Sequence, residues 1–94
     1  MHIEWSEEKN VFLKKERNVS FEDVLVKILD GDYLDIIPHP NQSVYPHQMV
    51  FIFLLGEYVY LVPFVQREDI IFLKTIIPSR KFTKIYSDKK HEKN

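Results

Sequence analysis

The sequence predicts an α+β fold, in which N-terminal helices pack on a small antiparallel sheet of three to four strands in a meander, closed by a C-terminal helix. Three observations carry this expectation. Two segments before residue 31 carry helix caps and 3.6-residue patterning, the period drops to two from Tyr33 onward, and the last apolar run stops at Pro78 and passes into a basic, hydroxyl-led segment.

Ser6, followed by Glu7 and Glu8 and then by Val11, Phe12 and Leu13, is a hydroxyl cap with acids in the first turn, and the helix it opens should end near Arg17-Asn18. Ser20 repeats the signature, with Asp23 at the capping-box position. Phe21, Val24, Leu25, Ile28 and Leu29 then follow one helical stripe, and Gly31 closes the helix. Tyr33 to Ile37 reads as a short strand ended by Pro38, and His39 to His47 as a loop. Met49–Leu55 and Tyr58–Val65 are β-rich runs split by Gly56-Glu57, which predicts a hairpin. Pro63 lacks a ladder donor and belongs at an edge or a bulge. Arg67-Glu68-Asp69 turns the chain into a third run over 70–77, and Ser79 caps a last helix reaching about Ser87. With 94 residues the chain has room for one core, so a single domain over 1–94 is expected, with about 88–94 as a frayed tail.

Cysteine is absent, which removes disulfide scaffolds, thiolate metal sites and cysteine nucleophiles, and fits a reducing cytoplasm. No apolar leader opens the chain, and the run Met49–Leu55 is too short to span a bilayer, so no membrane partner is expected. The formal charge of −1 hides a polarity. Residues 1–66 hold five Lys/Arg against ten Asp/Glu, and residues 67–94 hold eight against four. A basic C-terminal part on a near-neutral chain points to a local anionic ligand, or simply to a solvated helix and tail.

The candidate chemistry gathers in two places. Ser79, Arg80 and Lys81 stand where a strand ends and a helix begins, and a helix N-terminus with its free N–H groups and positive dipole suits phosphate oxygens. Lys74 interrupts the preceding apolar run on the face of Ile70 and Phe72, so it must either reach water along its stem or meet an anion. His39, Tyr45 and His47 share one loop, where an imidazole could transfer protons but is as often a surface residue. The two histidines have no third ligand nearby, so no metal and no cofactor is expected. A phosphate loop, a nucleophile elbow and an HExxH helix are all missing.

Taken together, Glu4-Trp5, Glu8-Lys9-Asn10, the helix opening Val19-Ser20-Phe21-Glu22-Asp23-Val24, and Ile76-Ile77-Pro78-Ser79-Arg80-Lys81 followed by Thr83 and Tyr86 resemble the BrnT family of bacterial toxins along nearly the whole chain. The resemblance implies a RelE-like fold and a metal-independent endoribonuclease that inhibits translation. It also implies a cognate antitoxin, of the ribbon-helix-helix or a similar DNA-binding type. Arg80 matches the arginine of the family's Ile-Ile-Ser-Ala-Arg segment. On this reading Arg80 and Lys74 stabilise the phosphorane charge, His39 or His47 handles protons with Tyr45 in reserve, and Lys81, Ser79, Arg17 and Lys84 hold the RNA backbone. The alternative is a toxin relative that keeps the basic rim and binds RNA or a partner without cleaving.

Overall fold

The computed structural model describes residues 2–92, and the side chains of residues 2–87. The fold is α+β, with three helices and a six-stranded sheet that is mixed rather than purely antiparallel. In chain order the elements are β1 (His2–Trp5), α1 (Glu7–Arg17), α2 (Phe21–Leu29), β2 (Asp35–Pro38), β3 (Met49–Leu55), β4 (Tyr58–Arg67), β5 (Ile70–Leu73), β6 (Ile77–Pro78) and α3 (Arg80–Glu92). The sheet order is β1-β5-β4-β3-β2, and β6 pairs with β4 beyond the end of β5.

The two early helices form where their caps place them. The Ser6 hydroxyl accepts the N–H of Lys9, and Asn18 ends α1 in the left-handed region at φ 55°. The Ser20 hydroxyl accepts the N–H of Asp23, and Gly31, at φ 69°, turns the chain out of α2 while Asp32 N–H returns to the Lys27 carbonyl. The α2 stripe is narrower than its pattern suggested: Phe21, Val24 and Ile28 are buried, whereas Leu29 is 67% exposed.

The hairpin β3–β4 stands as expected, with Leu55 opposite Tyr58 across Gly56-Glu57. Two strands depart from expectation. His2–Trp5 pairs in parallel with Ile70–Leu73, so Ile3 and Trp5 pack against the core instead of merely leading into α1. The run over 70–77 is not one strand but two, because β5 stops at Leu73 and β6 resumes only at Ile77. Pro63 supplies the reason. Lys74 N–H donates to the Pro63 carbonyl, so the missing proline N–H faces the same neighbour and has nothing to offer the next carbonyl. The chain leaves the ladder over Lys74–Ile76 and rejoins opposite Leu61. A bulge at Pro63 was one of its two predicted settings, and here it falls inside the sheet.

The core cluster joins Leu13, Val19, Phe21, Val24 and Ile28 of the helical layer to Phe51, Phe53, Val62, Phe64, Ile71, Leu73 and Ile76. Trp5 stacks on Phe21 with ring centroids 5.5 Å apart. Alternation puts Val50, Ile52 and Val59 on the other face, where they are also buried, and α3 takes that side. Its first turn is pinned there, since Thr83 Oγ1 accepts the Val59 N–H at 2.8 Å and donates to the Ser79 carbonyl at 2.7 Å. The helix runs to Glu92, beyond the expected end near Ser87. The frayed end expected over 88–94 reaches past the described residues.

Candidate functional site

The passage from β6 into α3 is the best-defined of the predicted sites. Ser79 N–H bonds the Val59 carbonyl, its hydroxyl accepts the Phe82 N–H at 3.1 Å, and its carbonyl accepts the Thr83 N–H. Ser79 is therefore a true cap, and it leaves the N–H groups of Arg80 and Lys81 outside the helix's own bonding. Both of these side chains, and that of Lys84 one turn on, are exposed.

Arg17, in the helical layer on the other face of the sheet from α3, reaches the segment that leads into this passage. Leu13, fully buried, anchors α1 one turn earlier, and the Arg17 guanidinium donates to the Ile76 carbonyl at 2.5 Å across 59 residues of sequence. That carbonyl belongs to the stretch that has left the ladder, so the arginine supplies a partner the sheet no longer gives. A guanidinium carries five N–H donors in a fixed fork, and one bond leaves the remainder for an anion.

The other predicted residues lie elsewhere. Lys74 enters the bulge about 13 Å along β4 from Ser79, taking a rise of about 3.3 Å for each of the four residues between Pro63 and Val59. Its ammonium turns back over the Phe72 ring, 5.3 Å from the centroid, away from the start of α3. It reaches water along its stem and does not meet Arg80. His39 and Gln48 close the base of the loop between β2 and β3, His39 N–H to Gln48 carbonyl at 3.0 Å. That base lies roughly 20 Å along the strands from the row of Val59 and Ser79, six residues away at the same rise. His39 is engaged in its own loop: its Nδ1 accepts the Asn41 N–H at 3.0 Å, and its ring packs against Tyr45 with centroids 4.4 Å apart. His47 is exposed in the same loop. The structure thus places Ser79, Arg80 and Lys81 together at the start of α3, with Arg17 bonded to Ile76 on the segment leading into it, and sets Lys74 and the trio His39, Tyr45 and His47 apart from them.

Sequence reasoning did not find a second feature, a groove of about 580 Å³ between α2 and the β3–β4 hairpin. Asp23, Val26, Lys27 and Asp30 form one wall, and Leu55, Gly56 and Tyr60 the other. Lys27 is bonded to Asp32 at 3.0 Å. The readable signal was Val26, an apolar residue off the core stripe of α2.

Asn10 was also missed as a structural centre. It is fully buried, and its amide oxygen accepts the Phe21 N–H at 2.8 Å while its nitrogen donates to Glu22 at 2.8 Å and to Glu7 at 3.4 Å. Asn10 holds the Glu22 carboxyl below the usual carboxylate range, helped by a backbone bond and by Lys14.

Among the described residues no three His, Cys, Asp or Glu side chains are placed to hold a metal ion, and no helix is long and apolar enough to cross a membrane. No protein-family model, curated protein or solved structure matches the chain.

Proposed function

We propose that this protein is a metal-independent endoribonuclease toxin of a toxin–antitoxin pair, acting on RNA at the rim where β6 passes into α3. The observation that carries this reading is the Arg17 bond to Ile76. It fixes a third cation at Ile76, four residues before Arg80, on the segment that leads into a helix end with unpaired N–H groups. The likeness of the Ile76–Lys81 segment and of the α2 opening to BrnT toxins points the same way.

In this mechanism Arg80, Arg17 and Lys81 hold the phosphodiester and stabilise charge as the 2′-hydroxyl attacks phosphorus and the 5′-oxygen leaves. Lys74 and the His39 loop then contact flanking RNA, and proton transfer passes through solvent, which limits the rate to what charge stabilisation supplies. The antitoxin, a small DNA-binding protein, would cover this rim or the acidic helical layer.

The distance of the His39 loop from Arg80 favours a second reading, a non-catalytic RNA-binding module. A labelled single-stranded RNA incubated with purified protein at low salt in chelator separates the two. Cleavage that Arg80→Ala abolishes, matched by growth arrest on expression that the same substitution relieves, supports the toxin. Salt-sensitive binding with intact RNA selects the module. Neither binding nor arrest overturns both.

A further inference from the structure

The groove between α2 and the β3–β4 hairpin has an apolar floor and an exposed apolar shoulder. Leu55 and Tyr60 are only partly buried against the core; Val26, in the groove wall, is 59% exposed, and Leu29, one turn on along α2 and outside the groove's lining, is 67% exposed. An exposed apolar pair beside a concave, polar-rimmed surface is the composition of a contact site.

The charges select the occupant. Lys27 is committed to Asp32, and Asp23 and Asp30 form no ion pair among the described residues. They stand two helical turns apart, about 10 Å at 1.5 Å per residue. Lys27, the cation among the groove's lining residues, makes its ion pair with Asp32.

We propose that this groove docks a basic amphipathic segment of a partner protein. Its apolar side chains cover Val26, Leu29 and Leu55, and two of its Lys or Arg residues, spaced to match Asp23 and Asp30, lay their stems along Tyr60. The methylene stem and charged head of such residues suit a site that is apolar below and anionic at the rim. The proposal differs from the ribonuclease reading in using the opposite charge, on the α2 side of Tyr60, whose register partner is Pro78 of β6.

The test titrates the intact protein with a synthetic amphipathic helical peptide carrying Arg two turns apart on one edge and Leu on its face. A matched peptide with Glu for Arg serves as control, and binding is read by amide chemical shifts and by calorimetry. The expected result is saturable shifts confined to residues 18–32 and 55–60. Affinity should fall about tenfold for Asp23→Asn/Asp30→Asn, the scale of losing one or two charge contacts, and fall again with added salt. Val26→Ser, at an exposed position, should weaken binding without altering the fold. No binding, equal binding of the Glu peptide, or unchanged affinity in both variants overturns the proposal. So does concentration-dependent self-association lost in Asp23→Asn/Asp30→Asn, which would make the occupant α3 of a second copy.

Discussion

The amide oxygen of Asn10 accepts the backbone N–H of Phe21 at 2.8 Å inside the core. Through this bond one side chain of α1 serves as an internal cap for α2, beyond the Ser20 hydroxyl that bonds Asp23. Asn10→Ala leaves a buried N–H without a partner, which costs roughly 1–3 kcal/mol. Urea unfolding followed by Trp5 emission measures it, and a loss under about 0.5 kcal/mol would show the bond to be dispensable.

Glu22, held below its ordinary value of 4.5 chiefly by Asn10, sets an acid limb. Its folded pKa is depressed, so its contribution is present above the unfolded value and disappears as pH falls through the folded one. Stability should therefore drop with acidification below about pH 4.5, and Glu22→Gln should flatten that part of the profile. An unchanged acid limb in Glu22→Gln would count against the coupling.

Tyr86 gives the opposite limb. Burial first, and the Asp35 carboxylate second, push its phenol above 10.0. A raised folded pKa means a contribution fully present below the unfolded value and lost as pH rises through the folded one. Wild type should lose stability in the alkaline range more steeply than Tyr86→Phe, as thermal melts across that range would show.

Thr83 ties α3 to β4 through both of its hydroxyl bonds. Thr83→Val keeps the shape but strands the Val59 N–H, at a cost of about 1–3 kcal/mol, whereas Thr83→Ser should cost under about 1 kcal/mol. Equal losses for the two substitutions would place the effect in packing instead.

Within the proposed RNA site the structure ranks the cations. Arg17→Ala removes a cation and uncaps the Ile76 carbonyl, so RNA affinity should fall about tenfold or more, the scale of one charge-assisted contact. Lys74→Ala should fall by less than about threefold, since its ammonium already rests on Phe72. Filter binding at low salt distinguishes them, and the reverse ranking would relocate the site to the bulge.

Much of this architecture could be read locally. Ser6, Ser20 and Gly31 announce two helices, and Gly56-Glu57 announces a hairpin, because each depends on residues within a few positions. What escaped depends on distant partners. Ile3 and Trp5 alternate with His2 and Glu4 as a strand would, but four residues beside a helix cap say little until Ile70–Leu73 are alongside. The break over Lys74–Ile76 is written in Pro63, on another strand. In the candidate site, Ser79 and Arg80 were legible as a capped basic helix start. Arg17 was legible as a cation but not as Ile76's partner, and the tilt of Lys74 toward Phe72 was not written in its spacing.

The parallel pairing of β1 with β5 sets an order of events in synthesis. His2 N–H bonds the Asp69 carbonyl, and the residues of β1 find their neighbours only once β5 exists. While the ribosome is still making the middle of the chain, Trp5 has no strand to settle against and α1 rests on an unfinished floor. Pairing over so long a separation is slow. β1 should thus join the sheet only after β5 has been made, and Trp5 should settle against Phe21 at that late step.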